Sequence, residues 1–179
     1  LRKRHVAFLR AFARVAGAMP DVKLLLAGRG PEEARVRAAV DALGLQDRVV
    51  FCGHRPDPEA LFALADMSLL TSEREGLPRV AVQSIAAGCP MLVQDVPGLD
   101  EVVDHGRNGW IADPQDMDGF VAQMRRMLDA PPLLERLRQG ALATDLGAWA
   151  LDALGARTTA LYGLPVRQPV VVQPWMQAA

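Results

Sequence analysis

Short apolar runs alternate with longer amphipathic stretches along this chain, the pattern of strand-helix-strand units whose parallel strands are covered on both faces. Val6, Leu9, Phe12, Ala13 and Ala16 recur at helical spacing and predict a helix from His5 to Met19, stopped by Pro20-Asp21. Val22–Ala27 reads as a strand ended by Gly28-Arg29-Gly30-Pro31, and Glu32–Leu43 as a helix ended by Gly44. A strand at Val49–Cys52, a helix at Pro58–Ala65, a strand at Met67–Leu70, a helix at Pro78–Ala87 and a strand at Pro90–Val93 follow. Beyond the Val96-Pro97-Gly98 turn the pattern predicts a short helix over Leu99–Asp104, a strand at Trp110-Ile111, and helical segments over roughly 116–129 and 132–160. The expected fold is α/β: a single Rossmann-like parallel sheet with helices on both faces. Residues 1–162 are expected to form that domain, truncated at its N-terminal edge, and 163–179, rich in Pro, Val and Gln, an extended tail.

Composition narrows the partners. The 179 residues are 50% hydrophobic and 23% charged, ordinary for a globular domain. Twenty basic side chains against 21 acidic ones, with a formal charge of -1, give no footprint for nucleic acid and no polybasic membrane patch. Cys52 and Cys89 lack Cys-x-x-Cys spacing, so neither a metal knuckle nor a disulfide framework is indicated, which fits a reducing cytoplasm. No apolar run reaches the roughly 20 residues that cross a bilayer. Leu1 in place of Met suggests a fragment whose N-terminal part is missing.

The densest chemistry lies at Ser72-Glu-Arg-Glu75-Gly-Leu-Pro78-Arg-Val-Ala-Val-Gln83, where an apolar strand gives way to an acid, a tight turn and a helix start. Gly76 allows the sharp turn, Pro78 suits the first helical position, and the helix start offers amides to an anion, with phosphate the natural guest.

This segment resembles the donor-binding motif of retaining GT-B glycosyltransferases of the group 1 family, in which a Glu-Gly-x-Pro turn opens a helix bearing a second acid. Glu75, Gly76, Leu77 and Pro78 fit it. The resemblance extends in order through Lys3-Arg-His5 with Phe8–Phe12, Val22–Glu32, Val49–Gly53, Ala65-Asp66, Thr71-Ser72, Gly88-Cys-Pro90, and Val96–Val103 to Gly106 and Gly109. It implies the donor-binding half of such an enzyme, moving a sugar from a nucleoside-diphosphate donor to an acceptor held by a missing N-terminal domain.

Under the resemblance Glu75 lies beside the donor sugar; otherwise it caps the following helix. Lys3 neutralises the diphosphate without a metal or cofactor, helped by the helix start at Leu77, Pro78, Arg79 and Val80; Arg79 is equally well a solvent-facing charge. Gly28 and Gly30 border the donor cleft, and Gly53 and His54 line the nucleobase. Gln83 takes the place of the second acid. It accepts only through its carbonyl oxygen, so one ribose contact reverses or is lost, at about 1 kcal/mol, roughly a fivefold to tenfold weaker grip. That departure leaves open a degenerate, non-catalytic module of the same architecture; an epimerase fits the Glu-Gly-x-Pro block less well. Any membrane contact falls to the missing half. A dinucleotide fingerprint fails because Glu33 stands where the third glycine of Gly-x-Gly-x-x-Gly is needed.

Overall fold

The structure, a computed structural model, describes residues 3–74 and 79–162, with the backbone alone at position 151. The chain forms two compact units, Leu1–Thr144 and Asp145–Ala179. In the first, the order is α1 (His5–Ala18), β1 (Leu24–Ala27), α2 (Glu33–Ala42), β2 (Val49–Gly53), α3 (Pro58–Leu64), β3 (Ser68–Leu70), α4 (Arg79–Ala86), β4 (Met91–Gln94), β5 (Gly109–Ala112), α5 (Met117–Leu128) and α6 (Pro131–Leu142). The second contains a 3-10 turn at Gly147–Trp149 and α7 (Leu151–Leu161).

Every described strand pair is parallel, as expected, with helices over the faces. The hydrogen bonding is nonetheless divided: β1 pairs with β2, and β3, β4 and β5 form a separate ladder with β4 in the middle. All four residues of β4 are buried, which requires cover on both faces, since side chains alternate along a strand. Leu92 faces a core shared with Leu9, Phe12 and Val15 of α1 and Phe120, Met124 and Met127 of α5. On α4, Ala81, Ser84 and Ile85 recur at helical spacing and are buried. Ser84 Oγ lies 2.6 Å from Ser68 Oγ and donates to the Cys89 carbonyl at 2.9 Å, tying α4 to β3 and to the entry of β4.

Two segments differ from expectation. The stretch Leu99–Asp104 is a set of turns: Leu99 O accepts from Val102 and Val103 N, and Asn108 Oδ1 then takes the Asp104 amide, so no second helical turn follows. The helical stretch expected over 132–160 is broken, because α6 ends at Leu142 and the chain turns before Gly147. Thr144 Oγ1 donates back to Gly140 O at 2.8 Å and accepts from Asn108 Nδ2 at 3.0 Å, and Asp145 Oδ1 accepts from Gly147 N. Polar side chains thus satisfy groups that a continuing helix would use. The expected tail over 163–179 lies outside the described residues.

Candidate nucleotide-sugar site

The carboxyl ends of β1, β2 and β3 converge at one end of the first unit, the position at which open α/β sheets hold ligands. β1 is followed by Gly28, whose φ of +120 is closed to most side chains, and β2 ends in Gly53, with φ of +64. Gly28 N donates to Gly53 O at 2.6 Å, so the two glycine turns are locked together. At the end of β3, Thr71 Oγ1 donates to the Lys3 carbonyl at 3.1 Å and so fixes the entry to α1 beside that strand. Ser72, next along, is 1% exposed, and its hydroxyl has no hydrogen-bond partner among the described residues.

Lys3, Gly28, His54, Val80 and Gln83 all line a cavity of about 1010 Å³ that also reaches Thr71 and Ser72. A smaller neighbouring cavity of about 230 Å³ is lined by Lys3, Gly28, Gly30 and Gly53. Lys3 and Gly28 border both, so the residues expected to hold the diphosphate and the base share one wall. Arg79 is exposed and lines neither cavity, which leaves it apart from the others. Glu75, Gly76, Leu77 and Pro78 lie outside the described residues.

Pattern reasoning missed Arg4. It begins α1 in the left-handed region at φ 48, and its guanidinium donates to Gln94 Oε1 at 3.5 Å and to Pro114 O at 3.1 Å, with Glu73 at 3.8 Å. It fastens the helix start to the end of β4 through the fully buried Gln94. The partners are 90 and 110 residues away, so no local signal could reveal them. His5, on both cavity linings, has its pKa lowered from 6.5, first because neighbouring atoms crowd the ring and strip water from it even though it keeps a solvent-facing edge, then by the Lys3 charge. An approaching anion would meet Lys3 first and relieve that repulsion. Arg55, beside His54, is engaged by Asp57 at 2.7 Å, which holds that carboxyl below its ordinary range. Glu33 is bound by Arg37 at 2.7 Å, so the position that spoils a dinucleotide fingerprint serves α2 itself.

The model of the glycosyl transferases group 1 family matches residues 1–143. The chain belongs to that family. Among curated members, N-acetyl-alpha-D-glucosaminyl L-malate synthase of Bacillus anthracis is 35% identical over 126 residues, 70% of this chain and 33% of that protein. The 2-deoxystreptamine glucosyltransferase of Streptomyces kanamyceticus is 34% identical over 160 residues, 88% of this chain and 39% of that protein. The chain therefore spans a third to two fifths of the length of these group 1 relatives. A solved structure of an S. aureus TarM variant with fondaparinux, alpha-GlcNAc-glycerol and UDP superposes with a TM-score of 0.83 at 14% identity, covering 90% of this chain and 33% of that one. The likeness fixes the fold as the Rossmann-like α/β unit of GT-B glycosyltransferases.

Proposed function

We infer that this chain is the donor-binding half of a retaining glycosyltransferase, which moves a sugar from a nucleoside-diphosphate donor to an acceptor held by a preceding domain. The observation that carries the reading is the convergence of Lys3, Gly28, His54, Val80 and Gln83 on one cavity at the carboxyl ends of the strands. Lys3 takes the diphosphate and neutralises charge as the glycosidic bond to phosphate breaks, without a metal. Gly28 and Gly53 let the backbone approach the nucleotide, His54 borders the base, and Gln83 reaches the ribose. Glu75 orients the sugar hydroxyls. Members of this architecture close two domains over the cleft, so the 179-residue chain binds donor and turns over little or nothing by itself.

Gln83 favours one competing reading, a family module that has kept the fold and lost transfer. Calorimetric titration of the chain with UDP, GDP and ADP, UDP because the TarM structure holds it, separates the two. The enzyme reading expects one preferred nucleotide, about three- to tenfold weaker binding in Lys3→Ala because the cation is exposed, and about fivefold to tenfold tighter binding in Gln83→Glu. Failure of every nucleotide to bind, even to Gln83→Glu, overturns the donor site.

A further inference from the structure

We propose that Arg4 is a positioning residue: its guanidinium pins a strained turn that holds the Lys3 main chain at the cavity wall, where, on the donor reading, a diphosphate meets a cation already in place. What Lys3 binds rests on that reading; how Lys3 is held does not. Arg4 stands at the head of α1 with φ 48 and ψ 29, and it is the one non-glycine residue at positive φ among the described residues. Glycine enters that region without steric cost and arginine does not. Nor does the side chain cap α1. The strain persists because contacts outside the helix over-determine it, the situation in which an unfavourable φ points to function.

Those contacts gather the carboxyl ends of three strands round one guanidinium. Arg4 Nη1 donates to Pro114 O, beyond β5, at 3.1 Å, and to Oε1 of Gln94, the last residue of β4, at 3.5 Å. Gln94 is fully buried, and its Nε2 also donates to Pro114 O, at 3.4 Å, which closes a triangle of side chain, side chain and carbonyl. Arg4 Nε lies 3.8 Å from the carboxylate of Glu73, just beyond β3.

Arg4 itself lines neither cavity, whereas Lys3 and His5 on either side of it line both. Its effect on a ligand must therefore pass through the main chain. Thr71 Oγ1 donates to the Lys3 carbonyl at 3.1 Å, so the Lys3-Arg4 peptide is held at its own carbonyl and by the guanidinium that follows it. Docking of α1 does not need this latch, since Phe8, Leu9, Phe12 and Val15 bury the helix. What the latch limits is the number of places from which the exposed Lys3 side chain can start. Restricting them beforehand removes an ordering cost from the bound state, and the flexible four-carbon stem supplies the remaining reach.

NMR titration of the 179-residue chain, Arg4→Gly, Lys3→Ala and the double variant tests this. Glycine suits φ 48, so Arg4→Gly removes the guanidinium without adding strain. The ligands are the best bound of UDP, GDP and ADP and the matching nucleoside, which lacks the phosphates. Arg4→Gly is expected to weaken the diphosphate about three- to fivefold and to leave the nucleoside unchanged, with no further loss when added to Lys3→Ala. Equal losses for nucleoside and diphosphate would mean general damage to the fold and overturn the proposal, as would full affinity in Arg4→Gly or additive losses in the double variant. A second readout needs no nucleotide. The Lys3 charge helps to lower the His5 pKa, so at low salt Arg4→Gly should raise that pKa by more than the same change does in the Lys3→Ala background. Equal rises in the two backgrounds overturn the proposal. If no nucleotide binds the unaltered chain while this coupling is seen, the donor reading fails and the placing of Lys3 by Arg4 stands.

Discussion

Replacing Gly28 by alanine while changing Gly30 in parallel isolates what the glycine turn at the end of β1 demands of the backbone. A Cβ at either position meets nothing within 4 Å, so neither substitution clashes, but only Gly28 sits at a positive φ, +120. Holding alanine there costs about 1–3 kcal/mol, less the roughly 0.4–1 kcal/mol that any glycine-to-alanine change returns by restricting the unfolded chain. Gly30→Ala collects that gain alone. The two variants should therefore differ by about 2 kcal/mol, a Tm separation of about 4–8 °C for a chain of this size. Urea unfolding with matched m values is the assay, since a changed m would mean an altered unfolded state. Relaxation of Gly28→Ala must also loosen the 2.6 Å bond from Gly28 N to Gly53 O, so nucleotide affinity should fall in this variant. Equal stability of the two variants would refute the claim that the turn geometry selects glycine.

Other perturbations probe other parts of the molecule. Because the pKa of His5 is lowered on folding, the unfolded chain binds more protons just below pH 6.5; the His5 contribution is thus complete above that pH and is lost as the pH falls through the window, a loss that should vanish in urea titrations of His5→Gln. Phosphate bound at Lys3 should raise the His5 pKa, read from its ring proton shifts. Cys89 is fully buried and its thiol pKa is pushed up by desolvation, so iodoacetamide should label Cys52 alone in the native chain and both thiols in urea. Gly140→Ala in α6 would gain about 1 kcal/mol of helix propensity, yet its Cβ runs into the Arg107 carbonyl, whose backbone has no easy escape; the Tm should fall by about 4 °C, whereas Gly17→Ala, in open space on α1, should raise it.

Elements with strong local signals were readable from sequence. The apolar spacing of α1 and the Gly28 and Gly44 stops placed the first helix, strand and helix within a residue or two, and motif order identified the family across most of the chain. What escaped depends on distant partners. Leu99, Val102 and Val103 have helical spacing, but Asn108 closes their turn from outside. The helix expected beyond Leu142 is cut by Thr144, whose hydroxyl bonds both Gly140 and Asn108. Arg4 gains its place from Gln94 and Pro114, and the division of the sheet follows from which edges meet, a matter on which periodicity is silent. At the site, the described residues that motif order selected line two neighbouring cavities, apart from Arg79, which is exposed; Glu75, Gly76, Leu77 and Pro78 lie outside the described residues.

Amide chemical-shift mapping by NMR during titration with UDP, GDP and ADP shows whether the carboxyl ends of β1, β2 and β3 form a nucleoside-diphosphate site. One nucleotide is expected to shift the amides of Lys3, Gly28, Gly53, His54 and Gln83 together along a single binding curve, leaving those of α7 unmoved. Shifts confined to other surfaces, or saturation that leaves Lys3 and Gly28 untouched, would contradict it.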